Sequence, residues 1–191
     1  MLYGLNCTWW RWLRRCGCSR GFGVQSPSAY AFIRYVINEH YPYYAYSDLR
    51  DEFPTLDSCS RKLMELYFRI SNWMQADFAV VRSDNSDVCR RYVESGCKNT
   101  KFVNADISCI SSNDALLFIL GKNGKTDDFT FLKYLNARLL FVIVEDIYGS
   151  NRQIWKNLSE NSSVRVSYDL YYVGLASFDK TRYKTNYKIN F

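Results

Sequence analysis

The sequence is poor in histidine: His40 is the only one in 191 residues, which leaves little room for catalysis by a Ser/His/Asp or Cys/His set. It lacks the Gly-x-x-x-x-Gly-Lys-Ser/Thr phosphate loop, the Gly-x-Ser-x-Gly nucleophile elbow and the Cys-x-x-Cys pair. Charged residues interrupt every apolar run well short of the roughly 18 residues that a membrane-spanning helix needs. These absences argue against the corresponding hydrolase, phosphate-loop and membrane-spanning classes.

The composition that is present suits one compact domain. Hydrophobic residues make up 48% of the chain and aromatic residues 17%, against 23% charged residues, which excludes intrinsic disorder. The seven cysteines are an odd set without the spacing of a disulfide scaffold, and residues 1–20 do not form a secretory signal. We therefore expect a soluble cytoplasmic protein with free thiols. Cys7, Cys16 and Cys18 with His40 lack the second paired-ligand motif of a zinc site, so no metal is predicted there.

The net charge of +6 lies at the two ends of the chain. Residues 1–50 have six Lys/Arg and two Asp/Glu, residues 51–150 have 12 and 14, and residues 151–191 have seven and three. If the ends lie together in the fold, they form one positive surface that attracts phosphate or anionic lipid. The alternative is a solvated surface that maintains solubility.

The first 75 residues are predicted to form a helical N-terminal extension packed on the core. A short basic amphipathic helix comes first, and it packs on the domain or lies on a membrane surface. Its apolar face comprises residues 2, 5, 9, 12, 13 and 16. Ser26 before Pro27 indicates a helix start, with the helix running to about Asn38. After a tyrosine-rich connection and a short helical piece, Asp57 or Ser58 is expected to cap a longer helix. The shared face of that helix is Leu63, Leu66, Tyr67, Ile70 and Trp73.

Residues 76–191 are predicted to form an α/β domain in the same structural unit, because short apolar runs alternate there with helical segments. The predicted strands are 78–81, 100–103, 115–120, 139–144, 164–178 and 187–191. The predicted helices are 87–95, 127–135 and 153–158. The alternation implies parallel strands joined by crossover helices, and the two closing strands, with no helix between them, imply an antiparallel edge.

Four segments together carry a family resemblance. Gly23-Val24-Gln25-Ser26-Pro27 is similar to a Gly-Val-His-Ser-Pro-Phe motif, and residues 144–150, with Trp155 following, are similar to an Asp-Asp-Ile-His-Trp-Ser strand end. Residues 167–175 and 184–191 match the last two strands of the same group. The sequence thus resembles bacterial class I S-adenosylmethionine (SAM) methyltransferase-like proteins. The resemblance implies a Rossmann-like class I methyltransferase fold: a mostly parallel sheet with an antiparallel C-terminal edge, shortened in the middle.

The loop after the first strand departs from the family pattern. The resemblance implies that this loop binds the methionine end of SAM, on glycines that let the backbone approach the ligand. Here the candidate cofactor-binding residues are Arg82, Ser83, Asp84 and Asn85, with no glycine. Asn and Asp tolerate left-handed conformations, so the turn is retained, but their side chains crowd the cofactor position. The other role for this loop is to cap the next helix through Asn85 or Ser86.

The middle of the chain is shorter than the family order requires. About a dozen residues separate Val103 from Ala115, where the resemblance implies a helix and a further strand. One unit of the sheet is therefore missing or reduced to a loop. Asp106 follows the preceding strand and is either a ligand for the ribose hydroxyls of SAM or a turn residue.

The candidate catalytic residues are Glu145, Asp146 and Tyr148. In related O-methyltransferases, carboxylates at two neighbouring strand ends hold a divalent cation, but the partner position here is Leu120 followed by Gly121. Adjacent strand residues point to opposite faces, so no metal site is predicted from the two carboxylates. Their other role is to cap the following helix.

The sequence favours a methyltransferase-like protein that has kept the scaffold and lost efficient SAM binding. Such a protein acts as a non-catalytic binding or scaffolding module with a protein partner and without a cofactor. The alternative is an active SAM-dependent methyltransferase, with a small-molecule acceptor between the N-terminal helices and the strand ends. The second alternative is a nucleic-acid or membrane-surface binder that uses the basic termini, through Trp9, Trp10 and Trp12 or residues 180–188.

Overall fold

The computed structural model describes residues 15, 17, 21, 23–103, 110–123 and 137–191. The predicted basic N-terminal helix, the predicted helix 127–135 and Asp106 lie outside the described residues. The described part is an α/β fold with one seven-stranded sheet and five helices. None of the helices within these ranges is long and apolar enough to cross a membrane.

The helices begin where the sequence places cap residues. The Ser26 side chain accepts a hydrogen bond from the Ala29 N–H, with Pro27 in the first turn. The Asp57 carboxylate accepts hydrogen bonds from the N–H groups of Cys59 and Ser60, as predicted for a helix N-terminus. The helices are α1 (Pro27–Phe32, continued by a π-helical turn, Ile33–Ile37), α2 (Ala45–Glu52), α3 (Ser58–Met74), α4 (Ser86–Gly96) and α5 (Arg152–Glu160).

The strands form one mostly parallel sheet in the order β2-β1-β3-β4-β6-β5-β7. The strands are β1 (Phe78–Arg82), β2 (Lys101–Phe102), β3 (Ala115–Leu120), β4 (Leu139–Glu145), β5 (Val166–Asp169), β6 (Val173–Ser177) and β7 (Thr185–Lys188). Strands β1 to β4 are mutually parallel, β6 is antiparallel to β4 and β5, and β7 is parallel to β5. The predicted α/β class with a mostly parallel sheet and antiparallel pairing on its C-terminal side is confirmed. The antiparallel pairs involve the internal strand β6, however, and the closing edge strand β7 pairs parallel with β5, contrary to the antiparallel edge expected of the closing strands.

The bounds of the C-terminal strands differ from the prediction. Residues 164–178 were predicted as one strand, but they form two, β5 and β6, joined by a tight turn. The turn depends on Tyr171, whose φ of 78° lies in the left-handed region and reverses the chain. The turn residues include neither glycine nor proline, and the local signal is Asp169, whose carboxylate accepts a hydrogen bond from the Tyr171 N–H at 2.9 Å.

Helices cover both faces of the sheet. One apolar core joins α1, α3 and α4 to alternate strand residues such as Leu117 and Ile119. The second lies on the opposite face, where Trp155 and Leu158 of α5 pack with Phe118 and other strand residues. All six residues of β3 are buried, as expected for a central parallel strand. The N-terminal helices therefore share a core with the sheet and border its strand ends.

The long helix α3 crosses the sheet with its predicted face only partly buried. Leu66, Tyr67 and Ile70 are fully buried. Trp73 remains 48% exposed and packs edge-on against Phe32, with 4.7 Å between the ring centroids. The N-terminal end of α3 lies beside the carboxyl ends of the central strands, where it forms one wall of the cleft described next.

Candidate functional site

A cleft of about 430 Å³ opens at the carboxyl ends of β1, β3 and β4. Side chains from the strand ends form its floor, and the first turns of α3 form one wall. Its lining residues are Cys59, Ser60, Lys62, Leu63, Ser83, Asp84, Asn85, Lys122, Asn123, Glu145, Asp146, Tyr172 and Phe191. Most of them are polar or charged, and five of them are sequence-predicted site residues.

The cleft lies where the order of successive strands in the sheet reverses. From β1 the chain moves outward to β2 and then returns to β3 on the other side of β1. The loops after two adjacent strands therefore run in opposite directions, which leaves a crevice between β1 and β3. Ser83–Asn85 follow β1, and Lys122–Asn123 follow β3, so both loops border this crevice.

The loop after β1 uses its side chains to hold its own conformation. Ser83 Oγ accepts a hydrogen bond from the Asn85 N–H at 3.3 Å. The Asp84 carboxylate accepts one from the side-chain amide of Asn123 at 2.8 Å, which joins the loops after β1 and β3. Ser83 also packs so closely on Gly121 that a Cβ at Gly121 would collide with the serine side chain. The side chains of this loop are therefore engaged with one another and with the β3 loop.

Asn85 precedes the first residue of α4, as expected, but its side chain makes no capping hydrogen bond. Arg82, the remaining candidate of this loop, is the last residue of β1 and does not line the cleft. Its carbonyl accepts a hydrogen bond from the Gly121 N–H at 2.8 Å, so its backbone belongs to the sheet edge.

Glu145 is a largely buried carboxyl group on the floor of the cleft. Its Oε1 accepts a hydrogen bond from the Tyr67 hydroxyl at 2.7 Å, and its Oε2 accepts one from the Lys122 N–H at 3.1 Å. Burial raises the pKa of Glu145, although both hydrogen bonds act in the opposite direction. The same environment raises the pKa of the buried Cys89 thiol to about 12, mainly through desolvation.

Asp146 lines the cleft next to Glu145, contrary to the expectation that adjacent strand residues point apart. The strand ends at Glu145, and Asp146 has a φ of 51°, so the alternation of an extended chain does not apply to it. Its carboxylate accepts hydrogen bonds from the N–H and hydroxyl of Ser150, both at 3.0 Å, and lies 4.0 Å from Lys122 Nζ. It thus stabilises the turn before α5, close to the capping role predicted for this pair.

Tyr148 lies outside the cleft, so the three catalytic candidates are not brought together. Its hydroxyl donates to Asp169 at 2.5 Å and accepts a hydrogen bond from Arg15 at 3.1 Å. Burial and the neighbouring Asp169 carboxylate raise the pKa of Tyr148. Because it faces Asp169, it contacts a different part of the surface from Glu145 and Asp146.

Two lysines of the cleft were missed by the sequence analysis. Lys122 follows β3, and its strand-end position is the signal that identifies it. Lys62 lies on α3 with its Nζ 4.2 Å from the centre of the Phe191 ring, and desolvation lowers its pKa. Helix α3, the loop after β3 and the C-terminal Phe191 thus contribute to a site whose lining contains ammonium and carboxylate groups together.

The same residues do not form a metal centre. Among the residues that the structure describes, no group of three or more His, Cys, Asp or Glu side chains is arranged to hold a metal ion. Cys59, Cys89 and Cys97 are free thiols, the first of them exposed and the other two buried.

The sequence matches no protein-family model, and no curated protein is significantly similar to it.

Proposed function

We propose that the protein is a methyltransferase-like module that binds a small polar ligand in the cleft and does not transfer a methyl group. One observation carries this proposal. The cleft, which lies where the strand order reverses, is open and is lined by charged and apolar groups together, while the side chains of the cofactor loop beside it are engaged with one another and with the β3 loop. The scaffold of a ligand site is thus present without the glycine-lined surface that SAM needs.

The strand arrangement supports the methyltransferase-like part of the proposal. In the class I methyltransferase order, one antiparallel strand is inserted on the C-terminal side of an otherwise parallel sheet. The sheet here resembles that order, because β6 is antiparallel and lies next to β4. The short edge strand β2 follows α4, and β3 is the next described strand. This agrees with a sheet that is reduced in its middle part, as the sequence resemblance implies.

The lining of the cleft indicates the chemistry of the ligand. A volume of about 430 Å³ falls within the range of small-molecule sites. Lys62 and Lys122 present ammonium groups, Asp84 and Asp146 present carboxylates, and Leu63 with Phe191 provides an apolar surface. A molecule with both an anionic and a cationic or hydrogen-bond-donating group matches this lining, and a purely apolar molecule leaves these charges without compensation.

Catalysis is not part of the proposal because the candidate groups are already engaged. Glu145 is held by Tyr67 and the Lys122 backbone, and Asp146 is held by Ser150. Tyr148 faces Asp169 rather than the cleft. A general base has to reach the proton that it removes, within about 3 Å or through one water, and these groups are committed to protein donors.

The second candidate function is active SAM-dependent methyl transfer. The observation that favours it is the size and openness of the cleft, because the aromatic side chains of the sheet do not fill the strand ends. Transfer to a nucleophilic acceptor requires close approach and orientation more than it requires a base. The two functions predict different responses to SAM.

Thermal unfolding with millimolar SAM or S-adenosylhomocysteine separates the two candidates. A ligand at 100 times its dissociation constant stabilises the fold by about 2.7 kcal/mol, which is several degrees for a domain of this size. We expect no shift with either compound. A shift with both, accompanied by methylation of a small-molecule acceptor, would establish the second function instead.

The binding proposal itself is tested with a panel of nucleosides, nucleotides and amino acids, using the same assay. We expect at least one member to raise the melting temperature. Lys122→Ala should abolish the shift, and Lys156→Ala, which removes the same charge from an exposed position of α5, should preserve it. The proposal fails if no member shifts the wild type, or if both variants respond alike.

A further inference from the structure

A cradle for a guanidinium group lies next to the cleft and contains the side chain of Arg15. We define this arginine cradle as Asp169, Tyr148 and Tyr171. Arg15 donates from two nitrogens to the two carboxylate oxygens of Asp169, each at 3.0 Å. It donates further to the Asp169 carbonyl and to the Tyr148 hydroxyl, both at 3.1 Å. This two-pronged geometry is specific to a planar guanidinium, because an ammonium group cannot form it.

The cradle is held in shape by contacts that do not involve Arg15. The Tyr148 hydroxyl donates to one carboxylate oxygen of Asp169 at 2.5 Å, and the Tyr171 N–H donates to the other at 2.9 Å. The Tyr148 and Tyr171 rings stack on each other at 5.3 Å with an interplanar angle of 22°. The carboxylate is therefore oriented by the protein and is 11% exposed as a side chain even with Arg15 in place.

Aromatic surfaces complete the recognition of a flat cation. The central carbon of the Arg15 guanidinium lies 5.3 Å from the Tyr171 ring centre and 5.8 Å from the Tyr148 ring centre. Cation–π attraction operates at such distances. Two rings and one fixed carboxylate thus select a guanidinium over other cations of the same charge.

The cradle adjoins the cleft through the backbone. The Asp146 N–H donates to the Tyr172 carbonyl at 2.7 Å, and both residues line the cleft. Tyr148 and Tyr171 lie within two residues of this pair along the chain. The cradle is therefore joined through the backbone to two residues of the cleft lining.

We propose that the arginine cradle is a binding site for a guanidino group, supplied by an arginine side chain of a peptide or by a small guanidino compound, and that Arg15 is its internal occupant. The site is independent of what fills the cleft. Arg15 is 154 residues from Asp169 in the sequence and is attached to it through side-chain contacts, so an external guanidino group competes directly with it. Removal of the Arg15 side chain takes the guanidinium partner from the Asp169 carboxylate.

The test compares Arg15→Ala with the wild type in titration calorimetry. The probes are N-acetyl-arginine amide, methylguanidine and, as the control cation, N-acetyl-lysine amide. We expect both guanidino probes to bind Arg15→Ala at least about ten-fold more tightly than they bind the wild type, because the internal arginine acts at a high effective concentration. Tighter binding of the arginine amide assigns the site to peptides, and equal binding assigns it to small guanidino compounds.

The double variant Arg15→Ala/Asp169→Asn is the matched control, because asparagine retains the shape of the cradle without its charge. It should lose the binding. Three results would show that the ion pair has a structural role only. They are a lysine amide that binds Arg15→Ala as tightly as the guanidino probes do, guanidino probes that bind the wild type as tightly as Arg15→Ala, and guanidino probes that do not bind Arg15→Ala. If Arg15→Ala does not fold, Arg15→Lys is used in the same way, and failure of both variants to fold would overturn the proposal, since a replaceable occupant is not required for folding.

Discussion

Replacing Arg69 by alanine should lower the free energy of unfolding by about 3–5 kcal/mol, although the residue lies outside both the cleft and the arginine cradle. Arg69 is only 5% exposed. Its guanidinium donates to the carbonyls of Val36 and Ile37, at 2.7 and 3.3 Å, and to the Tyr46 hydroxyl at 3.2 Å. Those carbonyls end the π-helical turn after α1, where a helix has no further N–H donors of its own.

The magnitude follows from the groups that the substitution exposes or leaves unpaired. Each buried carbonyl without a donor costs about 1–3 kcal/mol, and truncation of a long buried side chain adds the cost of a cavity. The three partners are uncharged, so part of this cost is offset because the cation no longer has to be desolvated. Arg69→Met keeps most of the volume and loses only the hydrogen bonds, and it should therefore cost less, about 2 kcal/mol.

Urea unfolding followed by circular dichroism measures these differences. The control is Arg50→Ala, which removes an exposed ion pair of 3.0 Å with Glu65 and should cost under about 1 kcal/mol. The expected order of destabilisation is Arg69→Ala, then Arg69→Met, then Arg50→Ala. The reasoning is refuted if Arg69→Ala is no more destabilising than Arg50→Ala, because the buried carbonyls would then have found other donors.

Three further predictions concern the sheet and the cleft. Burial raises the pKa of Glu145, so the folded state binds its proton more tightly than the unfolded state, and this residue lowers the stability of the protein as the pH rises above about 4. In urea unfolding, Glu145→Gln should therefore gain stability relative to the wild type between pH 4 and 7. A difference in stability that stays constant with pH would contradict this. Gly174→Ala should cost about 2–3 kcal/mol, since the new Cβ would lie 2.5 Å from two atoms of the rigid Trp155 ring; a melting temperature unchanged from the wild type would show that the ring moves freely. Lys184→Met should cost about 1 kcal/mol in the same urea assay, because the ammonium caps two carbonyls at the end of α5, at 2.9 and 2.8 Å, and no loss would mean that water replaces it.

The sequence predicts the central part of the fold well because its signals are local. Ser26, Pro27 and Asp57 are cap residues whose chemistry requires no tertiary context, and the helices begin there. The continuous apolar runs of β3 and β4 are typical of strands buried on both faces. The π-helical turn after α1 is different, because two of its carbonyls accept hydrogen bonds from Arg69, a side chain of another helix.

The part of the candidate site that lies at strand ends could be predicted from the sequence, because the sequence indicates where those strands end. Ser83, Asp84 and Asn85 follow β1, and Glu145 and Asp146 end β4, so their meeting follows from the parallel order. Tyr148 lies apart from them because the chain turns at Asp146, which has a left-handed conformation, and because its hydroxyl contacts Asp169 and Arg15, which are distant in sequence. The contribution of α3 to the cleft wall likewise depends on how that helix packs across the sheet.

The position of β6 between β4 and β5 determines how much of the chain is needed to complete the sheet. Both neighbours precede β6 in the sequence, so β4 keeps a free edge, and β5 remains separated from the central strands, until residues 173–177 are present. The free edge belongs to the strand Leu139–Glu145, whose five central residues are buried in the finished fold. Exposed apolar edges pair readily with other chains. A chain truncated before β6 is therefore prone to aggregation, because no later strand shields the centre of the sheet.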